Sequence, residues 1–513
     1  MAPLQKVMAT YPLATIFAGL LFSYLMATKI LTVRRERLFA KNRGCGKLKM
    51  RPQWDRLFGI DFFFTVMKKR AKGQSLAYFN EMFQEIGPTF GIVMMGFTLT
   101  MTNEPENIQA ILTKQFPDFE IGESRSKGGQ QMLGHGILNS DGEAWERGRA
   151  MLRPSFVKSQ VGDFDLFESN FQRLIDVVPA DGSTVDIQEF LSRFTLDVGT
   201  EYFLGENCNM LQPNASEHCK QFAWAFNVGL EGIPARFRLG KFAKFYYDTR
   251  YNKACDIVHN YIEPIVKKAV ERSKLSSAEK AADLEKRGDK YVFLDSIIQK
   301  DCDEIEVRDQ VLNVLSAARD TISSLMSSCI WKCTRYPEIM TKLRREVDLF
   351  EGRTPTYQEI KDMKYMNHMI KEVLRLYPPV PYNARVATKD TTLPTGGGPD
   401  GKSPVFIKKG DRVVYQIFST HRRRDIWGDD ADAFKPERWE QHIRPGFGYL
   451  PFNGGPRICP GQPFALVEAA YVLTRLLQTY SVIESRDSSP YKEKLALTFS
   501  HRDAVLVAFG GKA

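Results

Sequence analysis

The sequence predicts a mainly α-helical protein with small β sheets, standing behind one N-terminal membrane anchor. Three observations carry this reading. Residues 160 to 300 are rich in helix signals, and Val307 to Lys332 reads as one long helical run. Strand signals are short and few: Phe90 to Met101 forms a strand pair around Gly96, and strands flank the Gly-rich turn from Pro394 to Pro404. Tyr11 to Thr28 is apolar and uncharged, and the segment reaches Val33 if Lys29 snorkels.

The anchor comes first in the chain. A spanning helix needs roughly 20 apolar residues. The run is followed by Arg34, Arg35, Arg37, Lys41, Arg43, Lys47, Lys49 and Arg51. Positive charge marks the cytoplasmic side, so the body is expected in the cytosol with a short luminal N-terminus. A cleaved secretory signal is the alternative. Against it, only Lys6 precedes the long apolar run, and no small-x-small site ends it. Residues 1–50 are thus the anchor and its basic segment, and residues 51–513 are the body.

The chain has 513 residues, of which 43% are hydrophobic and 26% charged, a globular composition with material for a large core. The net charge of +10 suits an anionic membrane surface or an acidic protein partner. Nucleic acid is excluded as a partner, because no binding motif accompanies the charge. Eight scattered cysteines do not form a disulfide framework and point to a reducing compartment. Cys329 and Cys333 read as a packed pair on one helix face.

Further elements follow in order. Asn103 to Thr113 reads as a capped helix and Gly122 to Gly136 as a loop. The next helix carries Trp145 and Arg149, four apart and on one face. Phe222 to Phe237 has an aromatic face, broken by Gly and Pro, that could line a channel, touch the bilayer or simply pack. Asn214-Ala215-Ser216 is a glycosylation sequon that a cytosolic body would not present. Ser277 to Lys290 is a charged, solvated linker. Lys371 to Arg375 lies on a helix that Pro378 and Pro379 end.

The densest chemistry lies near the C-terminus, in Pro451 to Gly461, where three glycines and three prolines surround Cys459. An apolar helical pattern starts directly after it, from Pro463 to Leu476. Backbone N–H groups and a helix N-terminus would stabilise a thiolate there. Such a thiolate can be the axial ligand of haem iron, and Arg457 can pair with a haem propionate. A buried cysteine in a turn is the plainer reading. It loses to the spacing Phe-x-x-Gly-x-Arg-x-Cys-x-Gly, met at Phe452, Gly455, Arg457, Cys459 and Gly461. Upstream, Asp320 beside Thr321 gives an acid and an alcohol at a point where the long helix can bulge, a proton relay to oxygen.

The loop resembles the haem-binding loop of cytochrome P450, and matching motifs run from Trp145 to Gly461. The strings Arg385 to Pro404 and Thr420 to Gly428 are similar to the fungal alkane and fatty-acid hydroxylase family. The resemblance implies the cytochrome P450 fold, with haem b (iron protoporphyrin IX) between the long helix and the cysteine loop. Cys459 would ligate iron within the loop shaped by Phe452 and Gly461. Trp145, Arg149, Arg385 and Arg457 would hold the propionates, and Asp320 and Thr321 would manage protons. Glu372, Arg375 and Arg438 would brace the haem-loop side. Two positions depart from the family pattern: Ala318 stands where glycine is usual, and Ile322 where Thr or Ser is usual.

The implied reaction is monooxygenation of a hydrophobic substrate, with a long-chain fatty acid or alkane oxidised at its end as first choice. Molecular oxygen and electrons from NADPH would be used, the latter through a separate NADPH-cytochrome P450 reductase. The implied location is the endoplasmic reticulum membrane, single-pass, with the body facing the cytosol. The alternatives are a tailoring oxidase of a fungal secondary-metabolite pathway, an oxygen-independent haem-thiolate isomerase or dehydratase, and a membrane haem sensor.

Overall fold

The structure is a computed structural model that describes residues 12–156, 164–239, 243, 245–276, 279, 291–298, 302–441 and 443–512. Helix α1 (Pro12–Asn42) takes in the apolar segment and continues through the basic residues after it. Ile16, Phe17, Leu20, Phe22 and Leu25 stand exposed along it. Its end is fastened to the body: Arg35 meets Asp390 at 3.6 Å, Lys408 meets Glu36 at 2.6 Å, and Phe39 lies 5.5 Å from Phe406. Among the described residues, no helix is long and apolar enough to cross a membrane.

Helices α2 (Ile60–Ala71) and α3 (Ser75–Ile86) pack against the hairpin of β1 (Thr89–Met94) and β2 (Phe97–Thr102). Met94 pairs with Phe97, so Met95 and Gly96 make the turn expected around Gly96. Both have positive φ, 54° and 79°, as a two-residue hairpin turn of the mirror-image type requires. The helix expected from Asn103 begins instead at Pro105, after Glu104, and Asn103 does not cap it. Proline suits a first helical position because its missing N–H has no partner to lose there. The helix ends at Gln109 and widens into a π turn, Ala110–Lys114. Asn107 holds it in place by donating to Thr89 Oγ1 at 2.9 Å and to the Thr395 carbonyl at 3.0 Å.

After β3 (Phe119–Glu120), the predicted loop is a helix, α4 (Glu123–Leu133). Its glycines serve close packing: a Cβ on Gly128 would come 2.7 Å from the Phe237 ring. Tertiary contact therefore overrides the weak helix propensity of glycine. The helix expected to carry Trp145 and Arg149 is α5 (Gly142–Leu152), and the helix-rich reading of residues 160 to 300 is met by α6 (Phe164–Val177), α7 (Ile187–Leu204, preceded by β4, Asp181–Asp186), α8 (Glu217–Leu239) and α9 (Thr249–Ser273). The expected break in Phe222 to Phe237 does not occur, since α8 runs on through Gly232 and Pro234. Tyr251 of α9 presses on Gly232, where a Cβ would meet its ring at 2.2 Å, and this packing holds α8 together. Apart from Glu279, the linker predicted at Ser277 to Lys290 lies outside the described residues.

The long run is α10 (Glu304–Cys333), capped by Asp303, whose carboxylate accepts from the Ile305 N–H at 3.1 Å. It is followed by α11 (Pro337–Asp348) and α12 (Lys364–Leu376), which stops just before the prolines. Strands β5 (Asn383–Ala387), β6 (Thr391–Gly397), β7 (Ser403–Ile407) and β8 (Arg412–Tyr415) come next. The main sheet has the order β1-β2-β8-β5-β3, with β2 and β8 parallel, and β6 and β7 form their own hairpin. Helix α13 (Gln462–Thr479) leads to β9 (Tyr480–Ser485), β10 (Glu493–Leu495), β11 (Phe499–His501) and β12 (Leu506–Lys512).

The core lies where α7 and α13 meet α10. Phe464 of α13 packs 4.8 Å from Tyr202 on α7 and 5.5 Å from Phe167 on α6. Cys329 and Cys333 are buried and free, as read from the sequence. One turn beyond Phe464, Glu468 is buried, and neither carboxylate oxygen meets a hydrogen-bond donor. Burial pushes its pKa from 4.5 up to about 8. The folded state thus keeps a proton that the unfolded chain releases above 4.5, and this group's stabilisation is lost as pH rises toward about 8. Glu468→Gln should flatten the fall in stability across that window, by roughly 1.4 kcal/mol per pH unit, measured by denaturant unfolding at several pH values. An unchanged slope would mean that Glu468 does not titrate there.

Candidate active site

The loop from Pro451 to Gly461 is closed on itself. The Cys459 N–H donates to the Phe452 carbonyl at 3.0 Å, and the Ile458 N–H donates to the Gly455 carbonyl at 3.0 Å. Asn453, with φ of 62°, accepts from the Tyr415 hydroxyl at 3.1 Å and donates to the Arg457 carbonyl at 3.3 Å. Gly455 has φ of 66°, and a Cβ there would lie 1.9 Å from the Leu112 carbonyl oxygen. Only glycine allows the loop to press so closely on the π turn.

Cys459 stands exposed on this loop. Desolvation by the protein around it pushes the thiol up, while the N–H groups of Gly461 and Gln462 and the charge of Arg149 pull it down. A metal ion at a thiol outweighs these effects and deprotonates it outright. The donors that the sequence placed around the sulfur are therefore present at the start of α13.

Helix α5 brings Trp145 and Arg149 to the loop by different routes. Trp145 is buried, and the Arg457 guanidinium lies 4.4 Å above its ring. Arg149 donates to the Ile458 carbonyl at 2.9 Å. Arg457 itself donates to the Asp141 carboxylate at 2.7 Å and to the Ser140 carbonyl at 3.0 Å. Arg385, on β5, donates to its neighbour's carbonyl at Ala384 (2.8 Å) and to Asn383 Oδ1 (3.3 Å).

A fourth arginine joins them that the sequence did not single out. Arg125, on α4, donates to the same Asn383 Oδ1 at 2.9 Å. Burial pushes Arg125 down to about 10, and Arg385 adds repulsion. Arg457 is pushed down to about 10 by burial, with both other arginines contributing. Neither Arg125 nor Arg385 forms an ion pair among the described residues; Asp141 pairs with Arg457, and Glu120 adds a second, unpaired carboxylate within reach of Arg457's charge. Like charges crowded this way call for an anion. The two propionates of haem suit them, so the residues present fit the cofactor.

Asp320 and Thr321 lie on α10 and make no hydrogen bond or ion pair with the loop. The bulge expected at Ala317 to Thr321 is absent, and α10 is regular α-helix throughout. Ala318 favours helix where glycine would loosen it, and Ile322 is buried in the core. The Thr321 hydroxyl donates back to the Ala317 carbonyl at 2.6 Å. Asp320 sits 3.2 Å from Arg319, which also donates to Asn227 at 2.5 Å and Ser192 at 2.8 Å. Burial pushes the Asp320 carboxyl up, and Arg319 and then Lys494 oppose this.

Glu372, Arg375 and Arg438 come together as expected, all buried. Arg375 binds both oxygens of Glu372, at 2.9 and 2.7 Å, and Arg438 approaches at 3.4 Å. Trp439 Nε1 donates to the same carboxylate at 3.0 Å. The arginines' other N–H groups bind the carbonyls of His421, Ala431, Ala433, Trp427 and Asp430.

The family model for cytochrome P450 matches residues 57–504, and the chain belongs to the cytochrome P450 family. It is an oxidoreductase of the monooxygenase class that binds haem b, and the family works with a redox partner, molecular oxygen and a small-molecule substrate. It is similar to cytochrome P450 monooxygenase himC of Aspergillus japonicus, with 39% identity covering 93% of this chain and 86% of the relative. Cytochrome P450 monooxygenase fsdH of Fusarium heterosporum is 38% identical, covering 96% and 87%. Cytochrome P450 52A13 of Debaryomyces hansenii is 35% identical, covering 96% of both chains.

Glu372→Ala leaves Arg375 buried with no carboxylate and Arg438 with Asp430 alone. Breaking a buried pair in this way costs about 3–5 kcal/mol. The variant should unfold at markedly lower denaturant and retain little haem; stability within 1 kcal/mol of wild type, roughly the worth of an exposed pair, would show that the network is not essential.

Proposed function

We propose that Cys459 is the thiolate ligand of haem iron and that the protein hydroxylates a long, largely apolar aliphatic substrate, a fatty acid or alkane, at or near its chain end. The observation that carries the first part is the closed loop that turns N–H groups on Cys459 beside three arginines short of anions. Arg125, Arg385 and Arg457 hold the propionates, Trp145 supports Arg457 from below, and Arg149 holds the cysteine loop by its Ile458 carbonyl. When bound, haem supplies the activation of oxygen for insertion into an unactivated C–H bond. The protein's own part is proton management. Asp320, raised by burial, takes protons up, and Thr321 passes them on after releasing its bond to Ala317.

Electrons come from NADPH through a separate NADPH-cytochrome P450 reductase. Helix α1 is the anchor in the endoplasmic reticulum membrane, with the body on the cytosolic face. Its exposed apolar side chains and the basic residues after them support this. So does an exposed apolar patch on the body at Leu57, Phe58, Met95 and Phe97.

The aliphatic substrate is supported by the strings from Arg385 to Pro404 and from Thr420 to Gly428. The apolar face at Leu312 and Leu315 of α10 is consistent with it. A second reading, oxidation of a fungal secondary metabolite with a chain-like tail, is favoured by Ala318 and Ile322, which add bulk and remove polarity beside Thr321.

Thr321→Ala should leave haem binding intact and divert electrons to peroxide, lowering product per NADPH by about a hundredfold, the low end for an assisted proton transfer. Coupling at the wild-type level would remove Thr321 from the mechanism. In a chain-length series of fatty acids and alkanes, each added methylene should contribute about 0.8 kcal/mol, roughly fourfold in affinity, until the pocket is full. Binding spectra and product analysis with reductase report this. A flat series with turnover of a cyclic or branched metabolite would replace the aliphatic reading by the second one.

A further inference from the structure

The buried Glu372 network and the cysteine loop are separate in sequence, yet one side chain bridges them. His421 follows the short helix Ile417–Thr420 and is fully buried. Its Nε2 lies 2.8 Å from the backbone nitrogen of Leu450. A backbone N–H can only donate, so Nε2 accepts and the ring proton sits on Nδ1. Nδ1 in turn donates to the Arg375 carbonyl at 2.9 Å. The connection runs both ways, because Arg375 Nη1 donates to the His421 carbonyl at 2.8 Å. Burial pushes the imidazole down to about 3, so the ring stays neutral and its tautomer constant.

Leu450 stands at the root of the cysteine loop. Its carbonyl accepts from the Asn453 N–H at 3.1 Å, and the neighbouring Phe452 carbonyl holds the Cys459 N–H. Tyr449 packs beside the imidazole, with ring centroids 5.2 Å apart and planes tilted by 30°, and its hydroxyl donates to the Lys371 carbonyl at 3.0 Å. The loop is thus tethered to α12 at Tyr449 and, one residue later, by the imidazole.

We propose that His421 is a positioning residue: by holding the Leu450 N–H, it passes the rigidity of the Glu372–Arg375–Arg438 network to the loop that presents Cys459. The inference rests on the reading of Cys459 as the iron ligand. Without the imidazole acceptor the Leu450 N–H would be a buried orphan, and the loop would open to satisfy it. An open loop lets the thiolate leave the iron or take up a proton.

Two substitutions separate this role from mere packing. In His421→Asn, the amide N–H takes the place of Nδ1 and keeps the bond to Arg375, while the Leu450 arm is lost. In His421→Gln, the amide oxygen takes the place of Nε2 and keeps Leu450, while the Arg375 arm is lost. Two readouts are made on the full-length haem protein: amide hydrogen exchange at Leu450 and the carbon-monoxide difference spectrum after reduction. His421→Gln should stay close to wild type in both, because the carbonyl of residue 421 still accepts from Arg375 Nη1 and keeps the loop joined to the network. His421→Asn should exchange the Leu450 amide about tenfold faster or more and lose much of the strongly red-shifted thiolate band. If the two variants behave alike, whether both keep the band, both lose it or both fail to fold, the proposal is overturned, since it requires them to differ. Cys459→Ala is the separate control: persistence of the thiolate band there overturns the ligand assignment itself, whatever His421 does.

Discussion

The structure depends on one carboxylate held out of water. Glu372 is wholly buried, and the arginines at 375 and 438 and the indole of Trp439 converge on its two oxygens. An isolated charge in that position would not be tolerated. Because the guanidinium groups also bind five backbone carbonyls from residues 421 to 433, the charge cluster fixes a length of chain whose one regular element is the short helix Arg424–Trp427. The Cys459 loop is built on that length. Order is thereby carried from a regular helix, α12, into a segment that must stay irregular to do chemistry.

The site itself is organised by an imbalance of the opposite sign. Arg125, Arg385 and Arg457 come from three different parts of the chain and share little besides Asp141 and Asn383. Their charges repel one another, and on the proposed reading the two propionates of haem among them would turn that repulsion into binding energy. The same loop that carries the sulfur carries Arg457, so in the proposed arrangement one backbone segment would register both the cofactor's charge and its iron ligand. On the other side, α10 contributes a straight helix in which Thr321 is bonded to its own backbone. In the proposed mechanism, proton transfer there would start from a hydroxyl already in use.

The parts legible in the sequence were those where chemistry demands given residue types at given spacing. Phe452 to Gly461 is the clearest case, and Glu372 with Arg375 became readable through the prolines that follow. Long helices such as α10, and the hairpin turning at Met95 and Gly96, were legible from local pattern alone. What sequence could not show depended on neighbours far along the chain. Gly128 and Gly129 read as loop residues because Phe237, which packs against them, lies much later in the chain, and Pro234 reads as a break because Tyr251, which braces α8, belongs to the next helix. Arg125 was hidden for the same reason, since its importance comes from where α4 places it. His421 sat in a string that marked ancestry, and nothing in that string said which atoms its ring would join.

The contact of Gly455 with the π turn has a consequence for engineering. The loop that carries the sulfur and the turn at Ala110–Lys114 are moulded on each other with no room for a single methyl. Segments exchanged with a relative to alter what the enzyme accepts must therefore carry the turn and the loop as a matched set. A chimera that divides them would misplace the sulfur before it changed any substrate contact, and its failure would say nothing about selectivity.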